Sequence, residues 1–185
     1  MTSYAAAQRL PRADRSDFAP AQTEIWDHVV ETRRLDFMPN MFAVMGQSPE
    51  ALRAVAAVGE HVRWHSALDN DLREMVICTV AQAVGNVYEW DHHIHKVPER
   101  LRGIVGTAAA EAEPAPVGPA LRLCRLVASG EDVEDALVAG LRESLGDAGL
   151  VDLVVMIGYY QLLGSFCAVL GIEVEASVAR VPFNG

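Results

Sequence analysis

Helix start and stop signals recur along almost the whole chain, and they constrain its fold more than any other feature. Ser48-Pro49-Glu50 combines a serine that can cap a helix with a proline at the first helical position. Asp69-Asn70-Asp71 offers a cap and first-turn acids for another helix. Between such signals the apolar residues recur with helical spacing, and no segment shows the alternation of a strand. The sequence therefore predicts an all-α fold.

The predicted helices fill one stretch of domain size. We expect a compact multi-helix bundle over residues 21–172, preceded by an N-terminal arm over 1–20. The tail over 173–185 is expected to be an arm or partly disordered. Residues 106–119, rich in Ala, Glu, Pro and Gly, are typical of a linker between two helical layers. One short helix is predicted to begin at Asn40. The other predicted helices cover about 21–34, 48–66, 69–85, 87–96, 98–105, 120–128, 132–145 and 148–170.

Charge and cysteine content narrow the classes of protein to consider. The 185 residues have a net charge of −10, so a polyanion would be repelled and nucleic acid is not an expected partner. Cys78, Cys124 and Cys167 each lie in an apolar run, and no two form a CxxC pair. They are expected to be buried, reduced thiols of a cytoplasmic protein. The N-terminal residues contain no apolar core of signal-peptide length.

One segment is apolar enough to raise the question of a membrane span. Residues 150–172 are long and apolar, but they include Asp152, Gln161 and three glycines. A charge near a helix start is tolerated in a membrane, so composition alone does not decide. Because the rest of the chain is helical and acidic, we predict a buried core helix and no membrane partner.

Residues capable of proton transfer concentrate between Glu74 and His93. Glu89 and His93 are four residues apart, so on a helix they share a face and can exchange a proton. Glu74 lies nineteen residues before His93, which on one straight helix would separate them by about 28 Å. They can meet only if the chain turns back, and Gly85-Asn86 has the residue types of a helix end followed by a cap.

Each of these residues also has a structural interpretation. Asn86 and Glu89 have the spacing of a capping box, in which Glu89 would only cap the helix. Tyr88 and Trp90 are aromatic residues of the kind that fill cores and interfaces. The cluster of His92, His93 and His95 suggests a metal, but only Glu89 and His93 have the spacing of a shared ligand face. We therefore expect no metal site.

Three stretches of the sequence resemble the carboxymuconolactone decarboxylase family of the alkylhydroperoxidase D-like superfamily. The central one is REMVICTVAQAVGNVYEWDHHIHKV, over residues 73–97. MPNMFAVMGQSPEAL precedes it, and IGYYQLLGSFCAVLGIEV is similar to the family's closing apolar helix. The resemblance implies an all-α bundle that assembles into a homo-oligomer, a trimer or hexamer, with active sites near subunit contacts.

A sister branch of this superfamily, the alkylhydroperoxidase-like proteins, uses a Glu, a CxxC pair and a His at the same spacing. Here Glu74 and His93 match the Glu and the His, but Asn86 and Glu89 stand at the two cysteine positions. Neither side chain can replace a thiolate as a reducing nucleophile. The chain is therefore not expected to be a peroxidase, whereas acid–base chemistry survives the substitution.

The resemblance implies a cofactor-free lyase or isomerase for a small carboxylated or lactone-type substrate. His93 would be the main proton donor or acceptor, Glu89 would orient it or share the proton, and Glu74 would complete a relay. Trp90, Tyr88 and Asn86 would shape or polarise the pocket.

The segment after His95 reads KVPERLRGIVG where the family usually has an Ala-Gly-Leu turn, which suggests a diverged substrate in aromatic catabolism or secondary metabolism. A lactone or ring-opening hydrolase or a dehydratase could use the same residues. A non-catalytic structural or ligand-binding oligomer remains the alternative from another class, with the trio as a buried polar network.

Overall fold

Eight α-helices make up most of residues 7–184, the part of the chain that the computed structural model describes. No strand occurs within those residues, so the predicted all-α fold is confirmed. The helices are α1 Thr23–Thr32, α2 Asn40–Met45, α3 Pro49–Glu60, α4 Asn70–Val84, α5 Val87–His93, α6 Glu99–Arg102, α7 Val117–Ser129 and α8 Asp135–Leu170. Short 3₁₀ turns lie at Arg15–Asp17, Ile94–Lys96 and Ala110–Ala112, and a π-helical turn lies at His61–His65.

The chain forms two compact units. One contains residues 7–65 with Phe166–Ser177, and the other contains Ser66–Ser165 with residues 178–184. Helices α1 to α3 belong to the first unit, and α4 to α7 with most of α8 belong to the second. The helical domain predicted over 21–172 stays a prediction, as do its two flanking segments.

The helix starts predicted from capping residues are observed with one difference. Asp69 caps α4, since its Oδ1 accepts a hydrogen bond of 2.8 Å from the Leu72 amide. Pro49 is the first residue of α3 as expected, but the Ser48 side chain makes no capping bond. Pro49 has no N–H, and the Ser48 carbonyl accepts instead from the Leu52 amide at 3.0 Å. The helix expected to reach residue 66 ends at Glu60 and continues as the π-helical turn.

A tight turn between α4 and α5 reverses the chain direction, as the sequence predicted. Gly85 adopts the left-handed conformation with φ 71° and ψ 27°, which glycine enters at little cost. The Asn86 side chain then caps α5 by accepting from the Glu89 amide at 3.3 Å. The reciprocal half of a capping box is missing, because the Asn86 amide donates to the Ala81 carbonyl at 2.7 Å. The Glu89 carboxylate is thus available for another role.

The stretch predicted as a linker, 106–119, is more ordered than expected. It contains the 3₁₀ turn Ala110–Ala112, and α7 already begins at Val117. Gly118 packs so closely on the Glu111 and Glu113 carbonyls that a Cβ there would clash with both. Arg125 of α7 binds the Glu111 carboxylate at 2.6 Å and so ties the stretch to the helix that follows. The Ala, Glu, Pro and Gly content of this stretch indicated flexibility, because composition carries no information about contacts with distant residues.

The two helices predicted at about 132–145 and 148–170 are the two parts of α8. Gly146 has φ 73° and ψ 174°, which is not helical, so a kink separates the two parts where the sequence predicted a break. By length and composition α8 could cross a membrane, with a mean hydropathy of 1.9 over its most apolar window, 44% of which is buried. Leu153, Met156 and Leu163 are almost fully buried, as in the core helix that we predicted.

Residues 178–184, called the arm below, pack against α5 within the second unit. The buried Asp91 carboxylate accepts from the Val181 amide at 2.9 Å and pairs with Arg180 at 3.1 Å. Phe183 packs edge-on against Trp90, with ring centroids 5.1 Å apart. The Asn184 side chain donates to the carbonyl of Arg102 at 2.6 Å. The arm therefore holds α5 from one side.

Gly164 lets α8 approach the start of α5, and replacing it should destabilise the protein. A Cβ at Gly164 would lie 2.6 Å from Val84 Cγ2 and 3.6 Å from Asn86 Cβ. We expect Gly164→Ala to lower the free energy of unfolding by about 1–3 kcal/mol through overpacking. A Cβ at Gly158 on the same helix would have no atom within 4 Å, so Gly158→Ala should raise the free energy of unfolding by up to about 1 kcal/mol. Urea denaturation of both variants checks this, and equal effects would contradict it.

The Arg180–Asp91 pair should contribute measurably to stability because its acidic partner is fully buried. Arg180→Gln removes one charge-assisted bond and leaves the Val181 amide in place. We expect a loss of about 1–2 kcal/mol in urea denaturation. Arg122→Gln breaks an exposed pair with Glu134 at 3.1 Å and should cost less than about 0.5 kcal/mol. Equal losses in the two variants would show that the arm does not stabilise α5.

Candidate active site

His93 lies between two buried carboxylates. Its Nδ1 is 2.6 Å from Glu74 Oε2, and its Nε2 is 3.4 Å from Glu89 Oε2. The three side chains are only 6–9% exposed. Glu74 and His93 are nineteen residues apart and meet because α4 and α5 fold back on each other at Gly85. The structure thus brings together all three residues predicted as catalytic.

The two contacts of the imidazole differ in strength. At 2.6 Å, the contact between Nδ1 and Glu74 is a short charge-assisted hydrogen bond, which places a proton on Nδ1. At 3.4 Å, the contact between Nε2 and Glu89 is long for a hydrogen bond. Two lone pairs facing each other in a buried site would repel, so this contact needs a proton on Nε2 or on Oε2. The Nε2 end of the ring is therefore held less tightly than the Nδ1 end.

The geometry favours one of the two roles predicted for Glu89. Glu89 was expected to orient His93 or to share its proton, with Glu74 as the second member of a relay. The geometry instead favours Glu74 as the orienting carboxylate, because it has the shorter contact. Glu89 shares the looser proton. That all three are catalytic stays a prediction.

Cys78 lies one helical turn after Glu74 on α4 and is fully buried. Burial, together with the nearby carboxylates of Glu74 and Glu89, raises the pKa of the Cys78 thiol well above its usual range. The thiol therefore stays protonated near neutral pH and is a poor nucleophile. The chemistry of the cluster thus depends on its carboxylates and imidazole.

The predicted substrate-binding residues occupy different sides of α5. Trp90 is 0% and Asn86 is 4% exposed. Within residues 7–184, neither Trp90 Nε1 nor Asn86 Nδ2 has a hydrogen-bond partner. Tyr88 is also buried, but its ring stacks on His92 with centroids 4.4 Å apart. Tyr88 therefore supports the helix, while Asn86 and Trp90 present unused donors.

Only one of the three clustered histidines belongs to the trio. His92 is half-buried, and its Nδ1 lies 2.7 Å from the Tyr88 carbonyl. His95 is exposed, and its pKa is lowered by partial desolvation and by the adjacent Lys96. His93, the partner predicted for Glu89, is the buried one. In the described part of the chain, no three His, Cys, Asp or Glu side chains are arranged to hold a metal ion.

Sequence reasoning missed Tyr160 of α8. Its ring is buried and packs edge-on against the His93 imidazole, with centroids 6.1 Å apart. Tyr159 packs edge-on against Tyr160 at 5.2 Å. The contact spans more than sixty residues of sequence, so no local spacing indicates it. The Tyr-Tyr pair within an otherwise aliphatic helix was the only available signal.

Comparison with known proteins gives a family match over part of the chain and a fold. Residues 49–100, which include Glu74, Glu89 and His93, match the carboxymuconolactone decarboxylase family. The resemblance to that family is confirmed. No curated protein sequence matches the chain.

Solved structures share the fold at low sequence identity. A peroxidase-related protein from Silicibacter sp. TM1040 has a TM-score of 0.76 and 18% identity, covering 96% of this chain and 97% of that one. The debrominase Bmp8 in complex with 2,3,4-tribromopyrrole, as a Cys-to-Ala variant, has a TM-score of 0.70 and 16% identity, covering 93% and 94%. Its apo form has a TM-score of 0.67 and 17% identity, covering 89% and 91%. At this level of identity the likeness to these structures shows the fold.

The buried thiols of this protein should resist alkylation. Burial raises the pKa of both Cys78 and Cys124 far above neutrality, so both are shielded and protonated. We expect iodoacetamide at neutral pH to leave both unmodified in the native protein, as read by peptide mass spectrometry. In denaturant all three cysteines should react. Rapid native labelling of Cys78 would show a thiolate at the site and would contradict the acid–base assignment.

Proposed function

We propose that the protein is a cofactor-free acid–base enzyme of the carboxymuconolactone decarboxylase type, acting on a small carboxylated or lactone-type substrate. The observation that supports this most directly is the imidazole of His93 between the Glu74 and Glu89 carboxylates. One contact is short and orients the ring, and the other is long and leaves a proton transferable. Such an asymmetric pair of contacts suits a general acid or base.

Decarboxylation by these residues needs only one proton. The bond between the substrate carbon and its carboxylate breaks, and the electron pair stays on that carbon as an extended enolate. The proton between His93 Nε2 and Glu89 then moves to the carbon, and water later restores it. Glu74 keeps the proton on Nδ1 and stabilises the imidazolium whenever Nε2 is protonated. Burial strengthens these interactions, because charges interact more strongly in a medium of low polarity.

A silent structural network is the second candidate, and the burial of the trio favours it. Side chains that are 6–9% exposed leave little direct access for a substrate in a single chain. The incomplete hydrogen bonding of the cluster argues against a structural network. The Nε2 contact is long, and two donors on α5 have no partner within residues 7–184. In a network that serves packing alone, every buried polar atom is expected to have a hydrogen-bond partner.

We also propose that the protein is a cytoplasmic homo-oligomer, a trimer or hexamer. Support comes from the exposed side of α8, where Val151, Val154 and Leu162 are 46–60% exposed. These residues are spaced by three and eight positions, so they form one apolar row on the helix. Apolar rows of this kind are typical of contact surfaces between subunits. The three cysteines are buried and form no disulfide among the described residues, which agrees with a reducing compartment.

Activity should depend on the trio in a graded way. In a screen of purified protein against carboxylated and uncarboxylated lactones, we expect Glu89→Gln and His93→Ala to lower kcat by about 10²–10⁴-fold. Glu74→Gln keeps the shape of the side chain but removes its charge, so a smaller fall in kcat of at least about tenfold is expected. Glu143→Gln, an exposed change of the same chemistry on α8, is the matched control and should retain full activity.

Stability and assembly of the variants decide between the two candidates. For the enzyme, the variants should keep the parent's oligomeric state in light scattering and stay folded under assay conditions while losing turnover, even where removal of a buried charge lowers the urea midpoint. If no compound turns over and Glu89→Gln and His93→Ala are both strongly destabilised, the trio is a structural network and the enzyme proposal fails.

A further inference from the structure

One face of α8 is exposed and carries no charge. Between residues 151 and 165, the side chains on the other face, such as Leu153, Met156 and Leu163, are almost fully buried. Asp152 is the one charged residue of the stretch 148–172, and it is 9% exposed. The exposed positions between 151 and 165, called the α8 row below, are Val151, Val154, Val155, Gly158, Leu162 and Ser165. They belong to the second unit and extend over about 21 Å of helix.

The charge of the chain favours a second copy as the partner of this row. An apolar row in water is unfavourable, and such surfaces are typical of contacts with another molecule. The chain has a net charge of −10, so two copies repel each other over most of their surface. At the α8 row no like charges meet, so two copies can approach closely there. A partner that recognises this protein through its acidity would bind elsewhere.

Gly158, at the centre of the row, has a position that packing within the chain does not explain. Glycine inside a helix is less favourable than alanine, because it loses more backbone freedom on folding. Gly164 is explained by its neighbours, since a Cβ there would lie 2.6 Å from Val84 Cγ2. A Cβ at Gly158 would meet no atom within 4 Å among the described residues. Another helix that crosses α8 at this point would explain the glycine, because its absent side chain lets two helices pack at the short end of the usual range of about 8–10 Å.

The exposed positions are arranged symmetrically about Gly158. Val154 and Leu162 lie four residues before and after it. Val151 and Ser165 lie seven residues before and after it. If two copies of α8 cross antiparallel at Gly158, Val154 faces the partner's Leu162 and Val151 faces the partner's Ser165. A two-fold interface must match itself in this way, whereas a different protein or a lipid surface requires no such symmetry.

We propose that two copies of this chain pair through the α8 row, with their α8 helices antiparallel and a two-fold axis passing between the two Gly158 residues. Val155 lies at the edge of the row, where its counterpart is the partner's Gln161. The pairing rests on the homo-oligomer proposed above and narrows it. A trimer has no two-fold axis, so of the two proposed assemblies the hexamer remains, built from three such pairs.

Charges introduced at two facing positions test this register. Val154→Lys and Leu162→Glu each place an unpaired charge in the contact, so each should lower the mass in light scattering to half of the parent's or less. The two side chains are 53% and 46% exposed in the single chain, so both variants should stay folded in circular dichroism. Val154→Lys/Leu162→Glu in one chain places opposite charges face to face across the axis and should restore the parent's mass. Val154→Lys/Leu162→Lys places like charges there and should not restore it. Within one helix the two positions are about 12 Å apart, too far to pair.

A disulfide at the axis tests the direction of the helices. Under mild oxidation, Gly158→Cys should link two copies into a covalent dimer on a non-reducing gel, because a position next to a two-fold axis lies close to its own counterpart. Val151→Cys is the matched control. In an antiparallel pair its counterpart lies about 21 Å away, so no covalent dimer should form. The native cysteines are buried and should not react.

Gly158→Ala separates the effect on the helix from the effect on the pair. The gain in unfolding free energy expected above applies to the separated chain, in which alanine stabilises α8. In the pair, the added methyl group lies where the partner's helix approaches. Half-dissociation in a dilution series should therefore occur at about three- to tenfold higher concentration than for the parent.

Several outcomes overturn the pairing, and they are distinguishable from failure of the proposals on which it rests. Equal masses of the two double variants, or a covalent dimer through Val151→Cys, would show another register or direction. A parent mass of three chains overturns the pairing and leaves the homo-oligomer standing, whereas a mass of one chain overturns both. Flotation of the parent with phosphatidylcholine vesicles, abolished by Val154→Lys, would assign the row to a bilayer instead. The acid–base function is judged separately, by the kcat of Glu89→Gln.

Discussion

The meeting of Glu74 with His93 is the interaction on which the second unit of the structure depends. It joins side chains nineteen residues apart at 2.6 Å in a buried setting, which is possible only because Gly85 enters a left-handed conformation and α5 folds back on α4. Removing either partner of a buried charged pair leaves the other uncompensated, and that is more destabilising than the pair is stabilising. The turn, the Asn86 cap and the close approach of α8 at Gly164 all maintain this one contact.

The same contact explains why the site is asymmetric. A histidine with two equally short carboxylate contacts would hold both protons tightly and would be a poor donor. Here the Glu74 contact is 0.8 Å shorter than the Glu89 contact (3.4 minus 2.6 Å), so one proton is fixed and the other is loosely held. Glu89 and His93 lie on one short helix, where the spacing of four residues limits how closely their side chains approach. Glu74 comes from another helix, whose position can adjust to a short bond.

Local rules predicted much of this arrangement, and contacts between distant segments account for what they missed. The shared face of Glu89 and His93 follows from helical spacing, and the return of Glu74 follows from the glycine that ends α4. Tyr160 and the arm that binds Asp91 were missed because their contacts span more than sixty residues. The prediction that the Ser48 side chain caps α3 was wrong, because a residue type that often caps helices does not ensure a capping hydrogen bond. The unpaired donors of Asn86 and Trp90 depend on what surrounds each atom, which residue spacing does not specify.

Substituting Asn86 and Glu89 for a cysteine pair changes the chemistry while the geometry is kept. Burial, and after it the Glu74 and Glu89 carboxylates, raises the pKa of the Cys78 thiol, so a thiolate beside these residues is disfavoured. A carboxylate at position 89 instead adds a proton acceptor beside the imidazole, 3.4 Å from Nε2. An asparagine at position 86 caps α5 through its Oδ1 and so fixes the start of the helix on which Glu89 and His93 share a face.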